Sequence, residues 1–291
     1  MLKGQLNKYY HSTFLAGTLS ANAQILWKVS GNGLQKPSYI LGTYHVASKD
    51  ICDNIVGFND AYAGIEQVYG EVDTEIMNDP ATQFKLMPHM TMPKGQTLSS
   101  LYSEEQLKAF DEFLTPIFGF GIKAFDKVKP AVLSSNIQAF IAMKMYPDFD
   151  PAKAIDSQMQ VMAKQDNKEA KGLETLEFQI DMLYNAPIKE QAEDLWEMVE
   201  KGKEAEEMII ELTKRYQKQD LAGLWELMLE DSEPEELEKL VYGRNRNWVA
   251  QMKTIMPDVP TMFVVGAGHL PGEQGLIKLL EQEGYKLEPV W

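Results

Sequence analysis

The sequence predicts an α/β (α+β) fold in which two strand-rich halves surround a helical middle insertion, on three observations. Short apolar runs bounded by glycine and polar residues lie near both ends of the chain, as is typical of strands. Between about 99 and 257 the apolar residues recur at helical spacing instead. Each strand-rich half carries one G-x-x-H motif. Because no Pro/Gly/Ser-rich linker interrupts the chain, residues 24–291 are expected to form one domain.

The composition excludes several classes of protein. The 291 residues include 43 acidic and 28 basic side chains, so the formal net charge is −15. A chain this acidic repels phosphate backbones, which argues against nucleic acid as a partner. The single cysteine, Cys52, excludes an internal disulfide and cysteine-rich zinc modules. We interpret Cys52 as a small apolar residue rather than as a thiol nucleophile.

Residues 1–23 resemble a signal peptide. Lys3 and Lys8 precede a weakly apolar stretch, and Ala21-Asn22-Ala23 has the small-x-small form of a cleavage site. We therefore expect cleavage after Ala23 and export to the periplasm or cell envelope. The alternative is an unstructured tail on a cytoplasmic protein. No later stretch reaches the roughly 20 apolar residues of a membrane span, so none is expected in the mature chain.

The first strand-rich half contains three predicted strands and one helix. The strands are residues 25–31 and 38–46, joined through Gly31-Asn32-Gly33 in a hairpin-type connection, and residues 65–72. The helix is predicted for residues 53–63, between the second and third strands.

The helical middle begins where Ser103 to Gln106 has the spacing of a capping box. Further helices are predicted near residues 131–145, 154–166, 175–185, 188–230 and 233–255. The second strand-rich half then contains a buried strand at 261–266, a helix at about 272–283 and a last strand at 285–291.

Two of the four histidines occupy the same local frame. Gly42-Thr43-Tyr44-His45 ends one short buried strand, and Gly266-Ala267-Gly268-His269 ends another. Catalytic and ligand-binding groups favour such positions just past strand ends. One such histidine alone is more simply a hydrogen-bonded structural residue. Two in matching frames indicate that His45 and His269 converge on one site.

Acidic and basic residues near these strands complete the candidate site. Glu71 lies near the end of the third strand, and Asp73 is expected to point to the same side of it. His45, His269 and Glu71 would form a three-ligand metal site with open positions for water. Arg244, followed by Asn245, could stabilise an oxyanion or hold a carboxylate. The alternatives are a solvated carboxylate at Glu71 and a surface arginine at Arg244.

Five motifs together resemble the TraB/PrgY/GumN family, which also contains the Tiki metalloproteases. They are LGTYH at 41–45, GEVD at 70–73, GLET at 172–175 with Gln179, RN-x-x-W at 244–248, and VVGAGHLPGEQGLIKLLEQEGYKLEPV at 264–290. They occur in the order of the family and span nearly the whole chain from about Ile25.

The resemblance implies a metal-dependent hydrolase, most simply a peptidase. His45, His269 and Glu71 would hold a divalent ion such as Mn²⁺, Co²⁺ or Zn²⁺, with Glu71 as ligand or general base and Arg244 stabilising charge. Asp73 and Asn245 are expected to bind the substrate, a peptide or a small molecule. Asp156 and Glu174 match family positions without an assigned role.

Two alternatives use the same cleft. The likeness to erythromycin esterases implies a metal-independent esterase or lactonase. A haem-binding relative implies a non-enzymatic binder of haem or peptide. The oligomeric state is not predicted.

Overall fold

A computed structural model describes residues 24–77, 79–146, 150 and 153–291. The predicted signal peptide at residues 1–23 lies outside them. The strands are β1 (Leu26–Gly31), β2 (Ser38–Thr43), β3 (Gln67–Gly70), β4 (Glu169–Gly172), β5 (Thr261–Gly266) and β6 (Tyr285–Pro289). They form one sheet in the order β4-β3-β5-β2-β1-β6. The predicted α/β fold is confirmed.

The centre of the sheet is parallel and one side is antiparallel. β2, β3, β4 and β5 run parallel to one another, whereas β1 pairs antiparallel with both β2 and β6. Five of the six residues of β5 are buried, because helices cover both faces of a parallel sheet. The antiparallel pairing of β1 with β2 confirms the expected connection through Gly31-Asn32-Gly33, whose three residues all have positive φ.

All four parallel strands end at one edge of the sheet. Thr43 of β2 lies opposite Gly266 of β5, and Gly70 of β3 lies opposite both Val264 and Gly172. The residues that follow these strands are therefore brought to the same edge, where α/β proteins usually place their ligands.

The helices fall mostly between β2 and β5 in the chain. They are α1 (Phe58–Gly64), α2 (Thr74–Met77), α3 (Pro80–Met90), α4 (Glu104–Phe118), α5 (Pro130–Met143), α6 (Ile155–Gln165), α7 (Leu176–Tyr184), α8 (Ile188–Lys201), α9 (Lys203–Gln217), α10 (Leu221–Asp231), α11 (Pro234–Leu237), α12 (Gly243–Ile255) and α13 (Leu276–Gln282). A π-helical turn, Glu238–Tyr242, joins α11 to α12. Within the described residues, no helix is both long and apolar enough to span a membrane.

Local sequence signals explain several helix boundaries. The capping box before α4 is confirmed, since Ser103 and Gln106 bond to each other's backbone N–H groups. The helical stretch predicted at 188–230 divides into α8, α9 and α10 at Gly202 and Gln219, which both have positive φ. The last helix begins at Leu276 rather than near Gly272, because Gly272 itself has a φ of 86°.

Three elements were not predicted. The strand β4 interrupts the helical insertion expected at 99–257, and its sequence Glu-Ala-Lys-Gly contains no β-branched or aromatic residue. It forms because it extends an existing sheet edge beside β3. The helices α2 and α3 were also missed.

Two hydrophobic cores meet beside one of the candidate histidines. The larger packs the sheet against α6 and α12, and the smaller lies among α4, α5 and α8. Val46 belongs to the smaller core and Ala47 to the larger. The segment that follows His45 therefore joins the helical insertion to the sheet.

Candidate active site

Four polar side chains lie just beyond the parallel strands. Across the sheet they are Glu174 after β4, Glu71 after β3, His269 after β5 and His45 after β2. Because β2 and β5 are parallel neighbours, both G-x-x-H motifs end at the same edge of the sheet. The charges of Glu71 and Arg244 both act on the pKa of His45. The structure thus brings the two predicted histidines and the predicted carboxylate together.

Glu71 is a buried carboxylate surrounded by hydrogen-bond donors. Its Oε1 accepts from the Gly266 backbone N–H at 2.8 Å, and its Oε2 accepts from Gln179 at 2.9 Å and Arg244 at 2.5 Å. Burial alone would raise the pKa of Glu71. The positive charge of protonated His269, followed by those of Arg244 and protonated His45 and by the Gly266 N–H, outweighs burial and lowers the pKa to about 2. Glu71 is therefore ionised at neutral pH.

Arg244, in the first turn of α12, uses all five of its N–H groups within the protein. Its Nη1 donates to the Leu240 carbonyl and to Nε2 of His269, each at 3.0 Å. Its Nη2 donates to Glu71 and, at 2.6 Å, to Glu174, and its Nε donates to Glu174 at 3.2 Å. In this arrangement no N–H of Arg244 is left for an oxyanion, so its contacts favour a role in positioning the other groups.

His269 is buried and neutral. A guanidinium only donates, so Nε2 of His269 must accept from Arg244. Nδ1–H then donates to Oδ1 of Asn245 at 2.7 Å, while Nδ2 of Asn245 donates to the carbonyls of His269 and Gln274. These partners assign the tautomer. Burial lowers the pKa of His269 to about 4, even though Glu71 favours its charged form.

His45 differs from His269 in being open to water, with 73% of its side chain exposed. Its Nδ1 lies 3.1 Å from Oδ2 of Asp156, whose Oδ1 accepts from the Thr43 hydroxyl at 2.5 Å. The negative charge of Asp156 and its hydrogen bond raise the pKa of His45 from its ordinary value of 6.5 to about 9, and the positive charge of Arg244 opposes the shift. Among the described residues, Nε2 of His45 has no hydrogen-bond partner.

Two further predicted residues have positions that differ from those expected. For Asp73, strand alternation does not apply, because β3 ends at Gly70, before both Glu71 and Asp73. Its Oδ1 accepts instead from the Glu75 N–H at 3.0 Å. Asn245 orients His269 and lies buried below it. Cys52 is buried, and burial raises its thiol pKa to about 12, which fits its interpretation as a core residue.

Sequence reasoning assigned no role to several residues that complete the cluster. Glu174 bonds to Arg244 and to Nε1 of Trp248, and Gln179 donates to both Glu71 and Glu174. The missing signal was β4: once this strand is recognised, Glu174 falls two residues after a strand end, as Glu71 falls one residue after the end of β3. Gln160 of α6 carried no sequence signal at all.

The predicted metal ligands do not fit a divalent ion in this arrangement. The lone pair on Nε2 of His269 is directed at Arg244, and both oxygens of Glu71 accept from N–H donors. An ion bound by these two side chains would lie beside a guanidinium. Across the described part of the chain, no group of three or more His, Cys, Asp or Glu side chains is placed to hold a metal. The metal remains a prediction.

Comparison with known proteins agrees with the site motifs. The model of the TraB/PrgY/gumN family matches residues 25–289. The chain belongs to the TraB/PrgY/gumN family. For this family member, searches of curated proteins and of solved structures return no match. The family match spans β1 to β6 and every residue of the cluster described above.

Proposed function

We propose that this TraB/PrgY/gumN family member is a hydrolase that cleaves an ester or amide bond at the carboxyl edge of its parallel sheet. One observation carries the proposal: an exposed histidine, His45, lies with a neutral buried histidine, His269, at the ends of adjacent strands beside the ionised Glu71. Perturbed acids and bases gathered at a strand edge are typical of catalytic sites.

His45 is the proposed general base. With Nδ1 bonded to Asp156, its Nε2 takes a proton from water. The water oxygen forms a bond to the substrate carbonyl carbon, and the bond to the leaving oxygen or nitrogen breaks. The same proton passes from His45 to the leaving group, which gives a carboxylic acid and an alcohol or amine. Asp156 and Glu71 stabilise the transient imidazolium, because both negative charges favour the protonated ring.

The buried cluster has a supporting role in this proposal. Arg244 holds Glu71, Glu174 and His269 in fixed relative positions, so the negative charge of Glu71 remains beside the reacting groups. A fixed charge of this kind needs no reorganisation during the reaction. No step in this mechanism passes through a metal, because two of the predicted ligands, His269 and Glu71, are already paired with Arg244.

A peptide is the substrate class we place first, in line with the resemblance to the Tiki metalloproteases. An ester or lactone is the second class. Both are carboxylic acid derivatives, and the proton transfers assigned to His45 are the same for each. The metal-dependent peptidase predicted from the sequence differs only in what activates the water.

The experiment is a hydrolysis screen on fluorogenic peptides and activated esters with the wild type, His45→Ala and His89→Ala. His89 is a matched control, because it also pairs with a carboxylate, that of Asp181, in the helical part of the chain. We expect turnover to fall ~10²–10⁴-fold in His45→Ala and to stay unchanged in His89→Ala. Wild-type turnover that requires added metal and disappears with a chelator would favour the metal-dependent mechanism. Saturable binding without turnover would favour the non-enzymatic binder.

A further inference from the structure

One face of α6 contacts both halves of the candidate site. Asp156, Gln160 and Lys164 follow each other at intervals of four residues, so their side chains lie on the same side of the helix. Asp156 bonds to Thr43 and His45 at the end of β2. Gln160 and Lys164 instead contact the segment that follows β3.

Gln160 holds the backbone that carries Glu71. Its side chain is buried, with Nε2 donating to the Val72 carbonyl at 2.8 Å and Oε1 accepting from the Thr74 N–H at 3.2 Å. Both bonds lie within three residues of Glu71. The fit is tight, since a Cβ added at Gly70 would lie 2.2 Å from Nε2 of Gln160.

The geometry of the sheet explains why one helix can contact the residues that follow both β2 and β3. β2 and β3 are not neighbours, because β5 lies between them. Adjacent strands are about 4.8 Å apart, so the ends of β2 and β3 are about 10 Å apart. Residues four apart on a helix are displaced by about 6 Å along its axis, and two side chains reach the remaining distance. β2 ends before His45, and beyond β3 the Glu71 carbonyl accepts one backbone bond, from the Glu174 N–H at 2.9 Å, on the side of β3 away from β2.

We propose that Asp156 and Gln160 are positioning residues that together set the placement of His45 relative to Glu71. The proposal rests on the proposed function for its catalytic meaning. Asp156 fixes the ring of His45 so that Nδ1 carries the proton and Nε2 faces the water. Gln160 fixes the segment 70–74, so that Glu71 stays beside that ring.

Substitutions at each position test the proposal, with Val161→Ala on the exposed side of α6 as the control. For Asp156→Ala and Gln160→Ala we expect kcat to fall ~10–100-fold with little change in KM, as for other groups that orient a reacting side chain. Asp156→Asn should recover part of the loss, because its oxygen still accepts from Nδ1–H while its amide donates to the Thr43 hydroxyl. Full kcat in both alanine variants would overturn the proposal.

A second measurement reads the positions directly and needs no substrate. In ¹⁵N spectra of histidine-labelled protein, we expect one His45 tautomer, protonated at Nδ1, in the wild type at high pH. A mixture of tautomers is expected in Asp156→Ala and the wild-type tautomer in Val161→Ala. An unchanged tautomer in Asp156→Ala would contradict the role of Asp156.

A rescue experiment isolates the role of Gln160. Gly70→Ala should destabilise the protein because its new methyl group meets the Gln160 side chain. Gly70→Ala combined with Gln160→Ala should be more stable than Gly70→Ala alone, since the obstructing amide is gone. Additive losses in the double variant would show that Gln160 does not hold this segment.

The proposed hydrolase function and the positioning role of Asp156 and Gln160 can be contradicted independently of each other. If the wild type hydrolyses none of the substrates, the proposed function fails, while the tautomer and rescue measurements still decide whether α6 positions His45 and Glu71. If hydrolysis depends on His45 but both measurements show no effect, only the positioning proposal fails.

Discussion

Arg244 donates a hydrogen bond to Nε2 of His269 across 3.0 Å, so a nitrogen expected to bind a metal is instead bound to a cation. The same guanidinium contacts Glu71 and Glu174, and the three side chains are 7%, 9% and 8% exposed. Two buried carboxylates therefore share one positive charge. Burial raises the pKa of Glu174, although Arg244 opposes the shift. The site thus combines one carboxylate whose pKa is lowered, that of Glu71, with one whose pKa is raised, that of Glu174.

Removing Arg244 should destabilise the fold strongly. In Arg244→Ala, Glu71 and Glu174 would remain buried without their cation, so we expect a loss of about 3–5 kcal/mol in the free energy of unfolding. Arg246→Ala is the control, because Arg246 lies two residues further along α12, in an exposed pair with Glu238. That variant should lose less than ~1 kcal/mol. Urea denaturation measures both, and equal losses would show that the buried network is not stabilised by Arg244.

Acid should destabilise the protein through His269. Its pKa is about 4 when folded against 6.5 when unfolded, so between these values the unfolded chain binds more protons. Stability should therefore fall as the pH is lowered from 6.5 to 4, by up to a few kcal/mol at about 1.4 kcal/mol per pKa unit. His269→Gln does not titrate and should show a smaller slope over this range. Identical slopes for the two proteins, measured by urea denaturation at each pH, would contradict the assignment of a neutral His269.

The pH dependence of turnover should report His45. A general base acts unprotonated, and Asp156 raises the pKa of His45, so kcat/KM should rise with pH through a value above 6.5. Asp156→Asn removes the main cause of the shift and should move this rising limb to lower pH. If the rising limb of kcat/KM occurs at the same pH in Asp156→Asn as in the wild type, a group other than His45 controls the reaction.

Gly172 should be intolerant of a side chain. A Cβ there would lie 2.6 Å from the backbone nitrogen of Asp73 and 2.8 Å from the carbonyl carbon of Val72, in the segment that follows Glu71. Gly172→Ala should cost about 1–3 kcal/mol of stability and lower turnover, because rigid backbone must move. Gly64→Ala is the control, since a Cβ at Gly64 meets nothing within 4 Å. Thermal denaturation should separate the two variants, and equal midpoints would contradict the close approach.

Much of the sheet could be predicted because strands buried on both faces have a distinctive sequence. Thr261–Gly266 is an uninterrupted apolar run and was predicted with the observed bounds. The meeting of His45 and His269 could also be predicted, because matching motifs followed two such strands. β4 could not, since its charged residues form a strand only when β3 provides an edge.

The side-chain pairing within the site was beyond sequence reasoning. Arg244 and Glu71 are separated by 173 residues, and no local pattern shows that all five N–H groups of Arg244 are used inside the protein. The role of Gln160 was hidden for the same reason, because its partners, Val72 and Thr74, are more than 80 residues away. Both depend on packing between distant elements.

The most direct test of the proposed chemistry is turnover of the best substrate from the hydrolysis screen, measured in buffer treated with chelator. The account predicts that the wild type remains active there, that His45→Ala loses ~10²–10⁴-fold in kcat/KM, and that His89→Ala matches the wild type. A kcat/KM for His45→Ala equal to that of the wild type would contradict the role of His45 as general base.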